Sequence, residues 1–306
     1  MLTSFAAIED KVRSLPKRTV AVPSAANTCA LEAALEARKR GLADFILIDG
    51  RARLEATMRE LGRDPSILGT FEVVEEEDCD AAARLAVRMV REGRAGLLGK
   101  GRLQTSQIIK AVLDKKDGLR EASALLSDIM VIEKPQAEKA SLVVMTDPAL
   151  CVAPSVDDMI RIIANAVTAL HKMGCERPRV AIPAALEVVK EAMPATVAAA
   201  EVARRVNAGE VPGCVVEGPL SMDIAVSPRA AQVKGYTSEV AGRADLLVVT
   251  NIEAGNVLAK TVATFTKADY GHLVLGARVP VIMSSRSDSS SSKFNSVLLG
   301  LLCAGR

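Results

Sequence analysis

The chain has 306 residues, of which 49% are hydrophobic and 25% charged, so it is long enough to bury a sizeable core and has the composition of a compact globular protein. Its 39 Lys and Arg against 37 Asp and Glu give a net charge of +2, which creates no long-range field for gathering polyanions. With no Trp and an aromatic fraction of 2%, the chain also lacks the stacking surfaces typical of single-stranded nucleic acid binders, so we expect no nucleic-acid role.

The N-terminal segment and the cysteines indicate a reduced, cytoplasmic protein. The start, MLTSFAAIEDKVRSLPKR, carries acidic residues within its apolar stretch and predicts an amphipathic helix rather than a secretory signal. No apolar run approaches the ~20 residues that a membrane-spanning helix needs, so no membrane association is expected. The six cysteines lie far apart without a C-x-x-C pair, and neither His171 nor His272 lies in a recognisable metal or triad motif.

The first half of the chain alternates short apolar runs with helical patterns, which is typical of a mostly parallel sheet covered by helices. RTVAVPSA predicts a strand, Asn27 the N-cap of the next helix, and Gly41 the end of that helix. The alternation continues through DFILIDG, RARLEATMRELG, TFEVVEE, DAAARLAVRMVREG, AGLLGKG and TSQIIKAVLDK. We therefore predict the α/β class.

Two β-like runs then follow one another and interrupt the alternation. DIMVIEK and SLVVMTD are separated only by a short polar segment, which indicates an antiparallel pair and a change of lobe between Asp147 and Pro154. Alternation resumes through VDDMIRIIANAVTALHKMG, RVAIPAA, an Ala-rich helical region to Gly209, CVVEGPL, DLLVVTN, HLVLGARVPVIMSS and KFNSVLLGLLCAG. Because the last elements can return to the first lobe, we predict one lobe from residues 1–152 with 277–306 and another from 153–276.

Ligands of α/β proteins collect at the loops that leave the carboxyl ends of strands, so these loops are the candidate sites. Five of them stand out: 99–106, 146–154, 217–227, 251–256 and 284–296. The candidate substrate contacts in or next to them are Lys100, Thr105, Lys110, Asp147, Gly218, Pro219, Asp223, Glu253, Asn256 and Ser292.

The last of these loops, SSRSDSSSSKFNS, carries the richest chemistry. Arg286 suits a phosphate ligand because its planar fork offers paired donors and stays charged when desolvated. Ser285 can donate a hydrogen bond to an acyl carbonyl or to a departing sulfur, and the Ser run to Ser292 can present hydroxyl and N–H groups at the start of the final helix. On composition alone, a flexible Ser-rich loop with a solvated Arg explains the stretch equally well.

The loop GKGRLQTS offers two cations and two hydroxyls beside glycines that allow close backbone approach. Thr105 or Ser106 can cap the following helix, and Lys110 can point back toward the loop. The loop matches no Walker A motif, and a surface turn with Lys and Arg is the simpler interpretation.

Two further loops have a structural explanation beside the functional one. Gly218 and Pro219 are expected directly after a strand, where a tight turn would also place them. In NIEAGN, Glu253 and Asn256 share one helix face, and Gly255 indicates that a ligand or a facing lobe packs closely there.

Taken in order, the motifs GKGRLQTS, VMTDPALCVAP, GPLSMDIAVS, SEVAGRADLLVV, NIEAGNVLAK and SSRSDSSSSKFNS resemble the phosphate acetyl/butyryltransferase family over most of the chain, and most closely its phosphate butyryltransferase branch. The resemblance implies a two-lobed fold like that of isocitrate and isopropylmalate dehydrogenases, with coenzyme A and phosphate bound in a cleft between lobes. It implies a homodimer and no cofactor. It also implies that Ser285 and Arg286 match the Ser-Arg pair that assists the departing thiolate and binds phosphate or the thioester carbonyl.

The sequence departs from the acetyltransferases of that family at two positions. They carry a catalytic Asp six residues after the Arg, where this chain has Ser292, and their phosphate-site Arg corresponds to Lys110. The missing carboxylate favours the butyryl branch and leaves Asp288 as the nearest candidate, so Ser285, Arg286 and Asp288 are the predicted catalytic residues.

The resulting hypothesis is direct attack of phosphate on the thioester carbonyl of an acyl-CoA, giving acyl phosphate and free coenzyme A without a covalent enzyme intermediate. Phosphate acetyltransferase activity is the alternative within the class, because sequence does not reveal the acyl chain length. A non-catalytic acyl-CoA-binding protein is the alternative of another class. A metal- and NAD-dependent dehydrogenase on the same fold is not favoured, because the sequence contains neither the clustered Asp residues nor the dinucleotide loop that such an enzyme needs.

Overall fold

A computed structural model describes residues 1–120, 125–134 and 141–304. The chain divides into two compact units, a first unit of Phe5–Ala124 with Gly271–Arg306 and a second unit of Leu125–Tyr270 with Met1–Ser4. None of the helices in the described ranges combines the length and apolar character needed to cross a bilayer.

The first unit contains a four-stranded parallel sheet with strand order β3-β2-β1-β4. Its elements in chain order are α1 (Phe5–Arg13), β1 (Arg18–Pro23), α2 (Thr28–Lys39), β2 (Ala43–Ile48), α3 (Arg51–Glu60), a 3₁₀ helix (Pro65–Thr70), β3 (Glu72–Val74), α4 (Cys79–Arg91), β4 (Leu97–Leu98) and α5 (Thr105–Val112). The C-terminal part of the chain adds most of β10 (Tyr270–Leu275) and the helix α11 (Ser290–Cys303), which packs against α1 and α2.

Local sequence signals explain where the helices of the first unit begin and end. The Asn27 side chain accepts a hydrogen bond from the Ala30 N–H at 3.0 Å, which caps α2 as predicted. Gly41 follows that helix with φ of +73°, the left-handed conformation that glycine adopts without a Cβ penalty. The predicted cap of α5 by Thr105 or Ser106 is wrong, because Gln104 occupies the N-cap position and the Gln107 side chain accepts from its N–H at 2.9 Å.

The second unit contains five strands side by side in the order β5-β6-β9-β7-β8. Its elements are β5 (Ser127–Glu133), β6 (Leu142–Thr146), α6 (Val156–Lys172), β7 (Arg179–Pro183), α7 (Pro194–Arg205), a π-helical turn (Val206–Glu210), β8 (Val215–Leu220), α8 (Met222–Val226), α9 (Pro228–Val233), β9 (Leu246–Val248) and α10 (Ile252–Phe265). The pairs β6–β9, β9–β7 and β7–β8 are parallel, and β5 pairs antiparallel with β6, as the sequence predicted. The polar segment at 135–140, which the sequence places between that pair, lies outside the described residues.

Two expectations about the second unit need correction. The predicted boundaries at 152/153 and 276/277 differ from the observed ones at 124/125 and 270/271, because β5 pairs with β6 and β6 with β9, which ties both strands to the second unit. The Ala-rich helical region begins only at Pro194, after an irregular segment that follows β7. The class itself, α/β with mostly parallel sheets in two lobes, is confirmed.

The glycine in α10 is explained by close packing inside the second unit rather than by a ligand or a facing lobe. A Cβ on Gly255 would lie 2.8 Å from Val249 Cγ2 and 2.9 Å from Pro148 Cα. The loop that follows β6 therefore sits directly on the first turn of α10, and Asn256 Nδ2 reaches the Pro148 carbonyl at 3.4 Å.

We expect Gly255→Ala to destabilise the protein by roughly 1–3 kcal/mol, because the clash outweighs the better helix propensity of alanine. Gly69→Ala is the matched control, since nothing lies within 4 Å of a Cβ at that position. Urea unfolding measures both variants. A gain in stability for Gly255→Ala would contradict the close packing.

Candidate active site

The loops of the first unit meet at the carboxyl ends of its parallel strands. Residues 281–283 continue this sheet edge, because Val281 forms a parallel bridge with Leu98 and the Ile282 N–H donates to the Leu98 carbonyl at 2.8 Å. The chain therefore delivers the loop 284–288 to the same edge as the loop that follows β4. This is the edge at which ligands of open parallel sheets bind.

The loop after β4 is pressed against the loop after β1. The Gly101 N–H donates to the Pro23 carbonyl at 3.1 Å, and the Arg102 N–H donates to the Ser24 carbonyl at 2.8 Å. A Cβ on Gly101 would lie 1.9 Å from the Ser24 oxygen, so only glycine fits there. Ser24 has φ of +50°, which is uncommon for a residue with a side chain and marks a conformation imposed by this contact.

The buried carboxylate of Asp49 binds backbone groups next to these loops. It accepts hydrogen bonds from the Ala26 N–H at 3.0 Å and the Gly50 N–H at 2.9 Å. The oxygen that accepts from Ala26, Oδ2, also lies 3.5 Å from Arg102 Nε, in the loop that follows β4. Asp49 therefore ties the ends of β1, β2 and β4 together, a role that the sequence did not reveal.

Two buried lysines occupy the site. Lys100 is 7% exposed and Lys293 is 5% exposed. Lys100 Nζ reaches the Ser284 carbonyl at 3.4 Å, while Lys293 Nζ lies 3.2 Å from Ser284 Oγ and 2.7 Å from the Ser285 carbonyl. The two ammonium groups thus converge on the backbone of the serine pair.

Burial and like charge shift the protonation of both lysines. Desolvation by burial, with the positive charges of Lys293 and Arg286, lowers the pKa of Lys100 to about 8, and the charge of Asp288 opposes this. Burial also lowers the pKa of Lys293, again against the charge of Asp288. Three cations surround one carboxylate, so the site carries an excess of positive charge that a bound anion can neutralise.

Asp288 is buried and organises the loop. It is 4% exposed, its Oδ2 accepts a hydrogen bond from the Ser285 N–H at 2.6 Å, and its own N–H donates to the Ser285 carbonyl at 3.2 Å. Arg286 is exposed, and Ser285 Oγ lies 3.1 Å from Ser287 Oγ. The three predicted catalytic residues therefore lie in one tight turn, with the carboxylate inside and the guanidinium outside.

Ser292 belongs to the cap of α11. Its N–H donates to Ser289 Oγ at 3.2 Å, and the two hydroxyl oxygens lie 3.0 Å apart. The side chain is buried, and Ser290 in the same turn hydrogen-bonds to Glu32. Ser292 thus supports the start of the helix that carries Lys293.

The other candidates of the first unit lie on α5. Thr105 is its first residue and Lys110 lies more than one turn further, and both side chains are exposed. Lys100, from the GKGRLQTS motif that precedes α5, contacts the loop at 284–288.

Most of the six candidates of the second unit have local structural contacts within it. Asp147 is buried, and its carboxylate accepts hydrogen bonds from the N–H groups of the three residues Ala149, Leu150 and Cys151. Asp223 forms a surface ion pair with Lys234 at 3.0 Å, which lowers the pKa of the carboxyl.

Gly218 and Pro219 are not in a turn after a strand, as predicted, but inside β8. A Cβ on Gly218 would lie 2.8 Å from Ile182 Cβ, so the glycine permits close packing of neighbouring strands. Glu253 is exposed on the first turn of α10, next to the Asn256 contact described above.

The lysine that sequence reasoning missed is Lys293. Its signal was present, because it is a charged residue in a C-terminal helix whose following residues, from Asn295 to Leu302, are all buried. In the described ranges, no group of three His, Cys, Asp or Glu residues is arranged to hold a metal ion.

Comparison with known proteins defines the class. A sequence profile described as phosphate acetyl/butaryl transferase matches residues 68–301, and the chain belongs to this family. It is 38% identical over 305 residues to the phosphate butyryltransferase of Clostridium acetobutylicum, covering 100% of this chain and 99% of that one. It is 37% identical over 289 residues to a phosphate acetyltransferase of Rhizobium meliloti, covering 94% of this chain and 90% of that one.

A solved structure agrees with the sequence relatives. The branched-chain phosphotransacylase of Enterococcus faecalis superposes with a TM-score of 0.82 at 31% identity, covering 94% of this chain and 99% of that chain. The family that the motifs indicated is therefore confirmed, whereas the roles of individual site residues remain predictions.

Proposed function

We propose that this protein transfers an acyl group between coenzyme A and inorganic phosphate, with a short-chain acyl-CoA as substrate and no cofactor. The observation that carries the proposal is the cluster of Lys100, Lys293 and Arg286 around the Ser284–Ser285 backbone. With both lysines protonated, three positive charges and the one negative charge of Asp288 leave a net charge of +2. A phosphate dianion balances that charge.

The reaction has an electrostatic difficulty that this site addresses. An anionic phosphate must approach a thioester carbonyl whose oxygen gains negative charge as the new bond forms, and the sulfur then leaves as a thiolate. Fixed cations lower this barrier because they need no reorganisation during the reaction. The lysines bind phosphate in the proposed arrangement, while Arg286 and the Ser285 hydroxyl stabilise the carbonyl oxygen and the departing sulfur.

Asp288 acts in this proposal as a positioning residue. Its carboxylate is already bound to the Ser285 N–H, and its charge supports the protonated state of both lysines. The dianion of phosphate needs no deprotonation, so attack does not require a carboxylate base at this position or at Ser292.

Asp288→Asn separates positioning from general-base catalysis. Asn can still accept the Ser285 hydrogen bond, but it removes the charge that raises the lysine pKa values, so we expect the alkaline decline in activity to move to lower pH with a modest loss below it. The pH profile of phosphate-dependent turnover measures this. Loss of activity by more than about a thousandfold at every pH, without such a displacement, would instead indicate a general base.

A thiol-release assay with acetyl-CoA, propionyl-CoA and butyryl-CoA, each with and without phosphate, tests the function. We expect release that depends on phosphate and on one or more of the three thioesters. Tight acyl-CoA binding without turnover would favour the non-catalytic alternative. The relative rates decide between butyryl and acetyl preference, for which family membership provides no answer.

We also propose that the protein assembles as a homodimer. In support, α10 exposes two large apolar side chains, Val257 and Phe265, which are 66% and 82% accessible and lie on one face of the helix. Light scattering coupled to size-exclusion chromatography tests the assembly. A monomer at micromolar concentration would refute it.

A further inference from the structure

A small cavity is lined in part by the two buried lysines. Its volume is about 30 Å³, and residues of β1, β2, α2 and α11 contribute to its lining. Its wall is mostly apolar and includes Val22, Phe45, Ala30, Ala33 and Val297. A cavity of this size has room for about two water-sized groups, and an apolar wall favours hydrocarbon over water.

One end of this cavity belongs to the proposed active site. Lys100, Ser284 and Lys293 line it, and Lys293 Nζ lies 3.2 Å from Ser284 Oγ and 2.7 Å from the Ser285 carbonyl. The cavity thus shares its polar lining with the proposed phosphate site, next to Ser285, to which the carbonyl is assigned, and the rest of its lining is apolar. An alkyl group attached to that carbonyl meets an apolar space of matching chemistry.

We propose that this cavity receives the terminal carbons of the acyl chain, and that Ala30 and Ala33 on α2 set the chain length. The proposal rests on the acyltransfer function given above and specifies its substrate as a short straight chain. Two water-sized groups correspond to the terminal two carbons of such a chain, because a methylene and a water are similar in volume. A butyryl group therefore fills the space, whereas propionyl and acetyl groups leave progressively more of it empty.

The size of the two alanines is what keeps the cavity open. Ala33 is 3% exposed, and both alanines face the cavity from the same side of α2. A larger residue at position 30 is expected to reduce this space, and it changes none of the residues to which the proposed chemistry is assigned. In an apolar pocket, one methylene of the acyl chain changes kcat/KM by about tenfold or more.

The test compares kcat/KM for acetyl-CoA, propionyl-CoA and butyryl-CoA, with phosphate, in three proteins. Ala30→Val is expected to lower the butyryl-to-acetyl ratio about tenfold or more. Ala34→Val, which lies on the same helix and is buried but does not line the cavity, is the matched control and is expected to keep the ratio within about twofold.

Val297→Ala provides an independent arm in case the filled variant fails to fold. It enlarges the cavity and is expected to raise kcat/KM for pentanoyl-CoA relative to butyryl-CoA about tenfold. Folded Ala30→Val or Val297→Ala protein with wild-type ratios would overturn the inference and identify the cavity as a packing void. Absence of phosphate-dependent turnover in the wild-type protein would refute the proposed function itself, so the two failures are distinguishable.

Discussion

Replacing Arg286 by alanine is expected to lower phosphate-dependent kcat/KM by at least about a hundredfold, equivalent to roughly 3 kcal/mol of transition-state stabilisation. The guanidinium is exposed at the tip of the Ser285–Asp288 turn, and the hydrogen bonds that hold this turn run between Ser285 and Asp288. Its removal is therefore expected to take positive charge away from the proposed reacting groups while the turn itself keeps its hydrogen bonds. The fold is expected to persist.

The kinetic constants show how Arg286 acts. If it contacts the carbonyl oxygen or sulfur only as charge develops, kcat falls and the KM values change little; if it binds phosphate in the ground state, KM for phosphate rises. Arg94→Ala is the matched control, because Arg94 is an exposed residue of the same unit whose partner is Glu72 on the surface. Near-normal turnover by Arg286→Ala with an unchanged melting temperature would remove Arg286 from the mechanism.

The strands and most helices could be predicted from sequence because each depends on a local signal. The apolar run from Arg18 to Pro23 needs burial on both faces of a parallel sheet, and Asn27 supplies a cap wherever the following segment is helical. The segment containing Gly218 and Pro219 was misassigned because glycine and proline usually mark turns, whereas here the glycine allows close packing within a strand.

The composition of the site could be predicted only in part, because it depends on contacts between distant residues. Ser285, Arg286 and Asp288 are neighbours in sequence, so their grouping is a local property. Lys100 meets Ser284 across 184 positions, and this contact exists only because residues 281–283 run alongside β4. Lys293, by contrast, contacts Ser284 and Ser285 only nine and eight positions away, and a charged residue directly before the apolar run of α11 was its local signal.

Replacing Lys100 by methionine is expected to lower kcat/KM for phosphate by about a hundredfold while the protein becomes no less stable. The lysine is 7% exposed, and desolvation together with the charges of Lys293 and Arg286 lowers its pKa from 10.5 to about 8, so its charge is held at a cost when no anion is bound. A displacement of this size corresponds to roughly 3 kcal/mol at neutral pH, part of which is offset by the lost hydrogen bond to Ser284. Opposite changes in activity and unfolding free energy are typical of residues that function by being charged and buried.

Lys134→Met is the matched control, since Lys134 is a partly buried lysine of the second unit whose pKa is also lowered by burial. Urea unfolding and initial rates at varied phosphate concentration measure both variants. A Lys100→Met protein that keeps its KM for phosphate would contradict anion binding by this lysine.

The titration of Lys100 determines how activity and stability depend on pH. In the proposed arrangement protonated Lys100 binds the phosphate dianion, so KM expressed as dianion concentration is expected to stay nearly constant below pH ~8 and to rise up to about tenfold per unit above it, because the neutral amine predominates there. The free energy of unfolding is affected in the opposite sense, because a rise in pH over this range stabilises the fold. Since Lys100 titrates at about 8 in the folded protein and at about 10.5 when unfolded, the unfolded chain binds more protons between these values, and the unfolding free energy contributed by this lysine rises with pH across that window. Lys100→Met is expected to lose the part of both dependences that Lys100 contributes, so pH profiles of KM and of unfolding free energy test one group by two independent measurements.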